Sequence, residues 1–190
     1  MGVNSHGLFA GLTNRPTEDR RPERRSRGLL VTDALRHKEA RDAAQEMRQL
    51  SHGSYNPFNL YLADGRESFV THQREAAVET EALEPGIHVL CNRDLDDVSV
   101  PKISRIRGEL RRLDLEAPVE TLMGGLAELL RTHEPADRPL EAVCIHAGGY
   151  GTRSSAILAL GEDRWRYWHA DGPPCATKYR NLAKLLHELQ

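Results

Sequence analysis

The sequence predicts an α+β fold built on antiparallel strands. Short apolar runs cluster apart from amphipathic helical stripes, in the order strands, helices, strands, and do not alternate with them as βαβ units. Asp64-Gly65 lies between two such runs, a strong hairpin signal. A glycine-broken corner, Gly148-Gly149-Tyr150-Gly151-Thr152-Arg153-Ser154-Ser155, lies between two more. The 190 residues suffice for one domain with a real core, and no repeat or second domain is evident across 1–190.

Taken in order, Asn4 to Gly7 reads as a turn by composition, and Leu8 to Thr13 as a buried strand in which Gly11 marks a close approach. A further strand is expected before Asn4, where only three residues stand. Arg15 to Arg27 is arginine-rich and broken by Pro16 and Pro22; it reads as a mobile solvated loop, with a lid over an anionic ligand as the sharper alternative. Gly28 opens a helical region through Leu50, closed near Gly53. Tyr55 to Asn59 turns into a strand from Leu60 to Ala63, Ser68 to Thr71 returns, and Gly86 to Asn92 is expected to add a third strand. The acidic stretch from Arg93 to Val100 lacks the glycine and glutamate of an EF-hand and reads as a loop. Pro101 starts a helix, and Val119 to Leu130 forms a second. Ala142 to Ile145 and Ala156 to Leu160 are expected as strands meeting at the glycine corner. Trp165 to His169 is another strand, and Tyr179 to Leu189 a closing helix.

Composition narrows the function classes. Lys plus Arg is 26 against 28 for Asp plus Glu, a net charge of −2, which argues against a dedicated nucleic-acid binder. No run approaches the roughly 20 apolar residues of a bilayer span, and no signal peptide is visible. Cys91, Cys144 and Cys175 are scattered and form no CxxC pair, so their spacing supports neither a zinc site nor a disulfide framework, and a reducing cytoplasm is the expected home. No GxSxG, P-loop or HExxH is present. Cys144 and His146 stand two apart on one expected strand, which reads as core and not as a catalytic pair. His88, His146 and His169 lie in or beside strands, where histidine is more often hydrogen-bonded than ligating. On its own pattern the corner is a hairpin turn with a solvated Arg153; a fixed guanidinium facing a carboxylate or oxyanion is the alternative.

A series of short matches then lines up in order. Gly2-Val3-Asn4, Gly7 to Asn14, Arg27 to Val31, Tyr55 to Leu60, Val89 to Asn92, Pro101-Lys102, Val143 to His146, Tyr150 to Ser155 and His169 to Gly172 together resemble the NRDE proteins, the Transport and Golgi organisation 2 family. The resemblance implies an N-terminal-nucleophile-hydrolase-like architecture, αββα layers of two antiparallel sheets flanked by helices. Members begin with a Met-Cys strand and an Asn-Arg-Asp-Glu motif, and this chain is expected to start inside that pattern, as a shortened form without the first strands. In related amidohydrolases an N-terminal cysteine attacks a non-peptide C–N amide bond with its own amine as base. By position Asn14 and Asn92 resemble the asparagines that donate to the oxyanion, and Arg153 resembles the arginine beside the nucleophile. The resemblance thus implies two functions. One is a non-catalytic small-molecule binder for haem or an acyl lipid, with Arg153 and His146 as ligand-facing residues and haem as the candidate cofactor. The other is an amidohydrolase whose nucleophilic cysteine lies upstream. The arginine- and alanine-rich composition suits a bacterial gene.

Overall fold

The computed structural model describes residues 1–74, 77–161 and 165–187. They fall into two units, one spanning Met1–Asp96 and one beginning at Asp97.

The first unit is organised by strands that alternate their two faces. β1 (Gly2–Val3), β2 (Phe9–Asn14), β3 (Phe58–Ala63), β4 (Ser68–Gln73) and β5 (Val78–Ala82) pair antiparallel in sequence order. The register sets Ala10 opposite Leu62 and Leu12 opposite Leu60 on one face, and Gly11 opposite Tyr61 and Thr13 opposite Asn59 on the other. The first face receives two helices, α1 (Gly28–Ala34) and α2 (Ala40–Arg48). Ala40, Ala43, Ala44 and Met47 of α2 and Leu30 and Ala34 of α1 are buried there with Leu8, Ala10, Leu60 and Leu62. Each of the large side chains contributes about 1.5–3 kcal/mol. The small alanines let α2 approach the sheet closely. The hairpin between β3 and β4 forms at Asp64-Gly65, with Gly65 at φ 82°. Asp64 has a second task. Its carboxylate accepts the backbone N–H groups of Arg66 (3.0 Å) and Glu67 (3.1 Å), and also that of Ala40 (2.8 Å), the first residue of α2. The hairpin therefore caps a helix whose own Glu39 makes no side-chain cap.

Two expectations fail in this unit. Residues 86–92 form no strand; the third strand of the meander is β5. The backbone of 89–91 is occupied otherwise: Asp96 Oδ1 accepts the Val89 N–H at 2.8 Å, the Asp96 N–H donates to the Val89 carbonyl, and Thr13 and Asn59 take the Cys91 carbonyl. Nor does the arginine-rich loop float. The Arg21 backbone exchanges two hydrogen bonds with the Asn56 side chain (2.9 and 2.8 Å). Arg24 and Arg27 donate to the carbonyls of Tyr55 and Pro57, and Arg25 reaches Asp33 and the Tyr55 hydroxyl. These bonds tie the loop to residues 55–57 and to Asp33 of α1.

The second unit carries α3 (Pro101–Leu110), α4 (Val119–Leu130), β6 (His146–Ala147), β7 (Tyr150–Gly151), β8 (Ser155–Ala159), β9 (Arg166–Ala170), β10 (Arg180–Asn181) and α5 (Ala183–His187). β8, β9 and β10 form an antiparallel sheet, and β6 and β7 form a two-stranded one. Met123 and Ala127 of α4 pack on Ile157 of β8, with Leu126, Leu130, Trp168 and Tyr179 at the margin. This core is small. The corner predicted around Gly148 is a two-residue hairpin, with Gly148 at φ 49° and Gly149 at φ 87° between the pairs His146–Gly151 and Ala147–Tyr150. Ala142 to Ile145 is not a strand, contrary to expectation. Its backbone is used locally: the Cys144 N–H donates to Thr132 O, and the Ile145 N–H to the Thr152 hydroxyl. The closing segment is β10 followed by α5, shorter than the helix expected, and the expected end at 188–189 lies outside the described residues.

The chain is thus a mixed α and β protein with antiparallel sheets. Among the described residues no helix is long and apolar enough to cross a membrane.

Candidate functional site

On the face of the first sheet opposite α1 and α2, cross-strand neighbours bring Thr13, Asn59 and His72 side by side. Asn59 is fully buried and uses every atom of its amide. Its Nδ2 donates to the carbonyls of Cys91 (3.0 Å) and Arg93 (2.8 Å), with Thr13 Oγ1 at 3.2 Å. Its Oδ1 accepts from Arg15 (3.0 Å) and meets His72 Nδ1 at 2.7 Å. An amide oxygen only accepts, so Nδ1 of His72 carries the proton. Burial, then the positive charges of Arg74 and Arg15, push the His72 pKa down, so the ring is held neutral. Arg15 and Arg74 also flank Asp94. Burial acts to raise that carboxyl, but the bonds from Arg15 and Arg74 outweigh it and hold the pKa below its ordinary value.

This knot positions two of the residues read from sequence. Thr13 Oγ1 donates to the Cys91 carbonyl at 2.6 Å, which brings the end of β2 beside residues 91–92. Asn14 and Asn92 flank that bond. Both side chains are exposed, and neither makes a hydrogen bond among the described residues. Beside the knot, a cleft of about 690 Å³ opens over β2 and β3. Phe9, Leu12, Tyr61, Leu90 and Leu95 line it together with Gly11, Thr13, Ser68 and Glu84. The rings of Phe9 and Tyr61 lie 6.1 Å apart. The Phe9 ring lies directly over Gly11, where a Cβ would meet it at 3.0 Å. His88 also lines the cleft, but its Nδ1 contacts Asp96 and its Nε2 the Glu84 carbonyl, each at 2.8 Å.

Arg153 and His146 belong to the second unit. Arg153 is exposed, just past the hairpin, without an ion pair among the described residues. His146 is not isolated: His133, Cys144, His146 and Cys175 each place one ligating atom within 4.8 Å of the others. Cys144 is buried, and burial is the main cause that raises its thiol pKa; the other three residues are exposed. Sequence reading weighed Cys144 with His146 but not His133 or Cys175. It also missed Asn59 and His72, whose only local signal is a polar residue at an alternating strand position.

No curated protein matches the chain. The Transport and Golgi organisation 2 family matches over residues 1–168, which takes in all of the first unit and most of the second. The chain therefore belongs to the Transport and Golgi organisation 2 family.

Proposed function

We propose that this protein binds a small amphiphilic ligand, an acyl lipid in preference to haem, in the cleft over β2 and β3, and that it carries the ligand without altering it. The observation that supports this reading is the lining of that cleft: Phe9, Leu12, Tyr61, Leu90 and Leu95 supply apolar surface, with Thr13, Ser68, Glu84 and His88 among its polar members. An acyl chain needs no ligating atom, only apolar surface. About ten buried methylenes at about 0.8 kcal/mol each reach the micromolar range before ordering costs are subtracted. Haem would gain from an axial histidine, and His88, the histidine lining the cleft, has both ring nitrogens on oxygen acceptors. Arg153, in the second unit, is proposed separately as a cation for an anionic group, with no part in this cleft. Both units are taken as parts of one family domain, an N-terminal-nucleophile-hydrolase-like layered fold, acting in the cytoplasm; three free cysteines agree with a reducing compartment.

Titration with a fluorescent fatty acid tests the reading, with haem titrated in parallel. Saturable micromolar binding of the fatty acid, with no Soret shift from haem, is expected. A folded protein that leaves the probe unbound refutes it.

A second reading is amide hydrolysis. It draws on the exposed side-chain amides of Asn14 and Asn92, which stand at one strand end as oxyanion donors would. It needs a nucleophile from a segment before Gly2. Release of amine from acyl amides by a form of the protein that carries such a nucleophile would favour it over the carrier.

A further inference from the structure

We infer that His133, Cys144, His146 and Cys175 form a zinc-binding site that staples the second unit. The inference is independent of the cleft and its ligand.

Three chain segments converge on the site. His133 follows the C-terminal end of α4, Cys144 and His146 lead into and open β6, and Cys175 sits in the turn after β9. The segments are tied by hydrogen bonds that do not involve the ligating atoms. Cys144 N–H donates to Thr132 O at 2.9 Å, Arg131 Nε donates to the Pro174 carbonyl at 3.1 Å, and Ala176 N–H closes the turn on Pro173 O at 3.0 Å. The four donor atoms are therefore positioned by backbone.

Three of the four donor atoms are spaced as in a coordination shell, and the fourth, on His133, lies within 4.8 Å of them. Cys144 Sγ lies 3.6 Å from Cys175 Sγ and 3.7 Å from His146 Nε2, and His146 Nε2 lies 3.2 Å from Cys175 Sγ. With Zn–S near 2.3 Å and Zn–N near 2.0–2.1 Å, a tetrahedral site has S···S edges of about 3.8 Å and S···N edges of about 3.5 Å. The rings of His133 and His146 stand 5.1 Å apart. His133 is oriented from behind: its Nδ1 donates to the Cys144 carbonyl at 3.1 Å. A carbonyl can only accept, so Nδ1 holds the proton and Nε2 keeps its lone pair for a metal. Two thiolates and two imidazoles select zinc, and four protein ligands make a closed, structural site rather than one with an open catalytic position. Binding releases the two thiol protons.

The need for a staple is visible in the packing. The first unit buries a broad apolar layer, whereas the second has Met123, Ala127 and Ile157 at its centre. A bound metal supplies folding free energy where a small core does not. Exposure of His133, His146 and Cys175 leaves a path for the ion to enter.

The test uses the full chain without an affinity tag, reduced and stripped by chelator, then titrated with zinc and, separately, with cobalt. One zinc per chain is expected, with a raised melting temperature. Cobalt should give the intense d–d bands of a tetrahedral site and a thiolate charge-transfer band. Cys175→Ser should weaken zinc binding by about a hundredfold or more, and Cys91→Ser, in the other unit, should leave it unchanged. If Cys175→Ser does not fold, His146→Gln and the wild-type cobalt spectrum decide. A folded, fully reduced chain that takes up no zinc overturns the site, as does a cobalt adduct without the charge-transfer band, or zinc binding that Cys175→Ser leaves intact.

Discussion

Asn59 and His72 face each other across β3 and β4, with His72 Nδ1 2.7 Å from Asn59 Oδ1. The pair is buried and closes a set of hydrogen bonds that fixes residues 91–93 against the sheet. Asn59→Ala strips partners from two carbonyls, a guanidinium and a ring at once. It should destabilise the first unit by about 3 kcal/mol, because orphaned buried groups lose more than the bond itself was worth. Urea unfolding measures this; a change below about 0.5 kcal/mol would show that the knot is not a structural hub.

His72 also sets a pH dependence. Its folded pKa lies below the ordinary histidine value of 6.5, so the unfolded chain takes up the proton first. Stability is at its full value above that pH and should fall as the pH drops through the ordinary histidine range toward the lower folded value. The depressed carboxyls of Asp64 and Asp94 lose their contributions only at more acid pH, below the ordinary carboxylate value of 3.8. His72→Gln should therefore flatten the melting temperature between pH 7 and pH 5 (about half a unit to either side of the window is sufficient to see it). A slope unchanged by the substitution would assign it to other groups.

Asp64 joins a turn to a helix. Asp64→Ala removes the acceptor for three backbone N–H groups, those of Ala40, Arg66 and Glu67. A loss of about 2 kcal/mol is expected, at the upper end for a helix cap. Asp64→Asn should recover about half of it, since one amide oxygen remains. Equal losses for the two variants would mean that charge, not geometry, holds the cap.

The Arg21–Asn56 clasp predicts resistance to trypsin in a segment rich in arginine. Asn56→Ala deletes two hydrogen bonds, worth about 1–2 kcal/mol together. Cleavage within 15–27 should then speed up about tenfold, as local opening becomes more frequent. Equal cleavage rates would return this segment to the mobile loop suggested by its composition.

Much of the fold is legible in the sequence because local chemistry agrees with it. Asp64-Gly65, Pro101, the stripe from Val119 to Leu130 and the paired glycines at 148–149 each name their own structure. What is not legible was decided at a distance. The apolar run 86–92 looks like a strand, but Asp96, Thr13 and Asn59 claim its backbone. Ala142 to Ile145 is diverted the same way by Thr132 and Thr152. β5, Val-Glu-Thr-Glu-Ala, is too polar to announce itself, as edge strands often are. Among the candidate residues, Asn14 ends β2 and Arg153 follows the glycine hairpin, where residue patterns point, whereas Asn92 lies in the run 86–92 that forms no strand. His133 and Cys175 reach Cys144 only through folding, since no spacing rule links them.

The carrier reading rests on the cleft over β2 and β3, and one comparison tests it most directly. Gly11→Leu would press a side chain against the Phe9 ring, whose nearest atoms lie 3.0 and 3.1 Å from the new Cβ, so the ring must shift within the cleft. The strand should keep its fold and lose its cleft. Fatty-acid titration of the two folded proteins should give micromolar binding for the wild type and at least about tenfold weaker binding for Gly11→Leu. Equal affinity in both would contradict binding in this cleft.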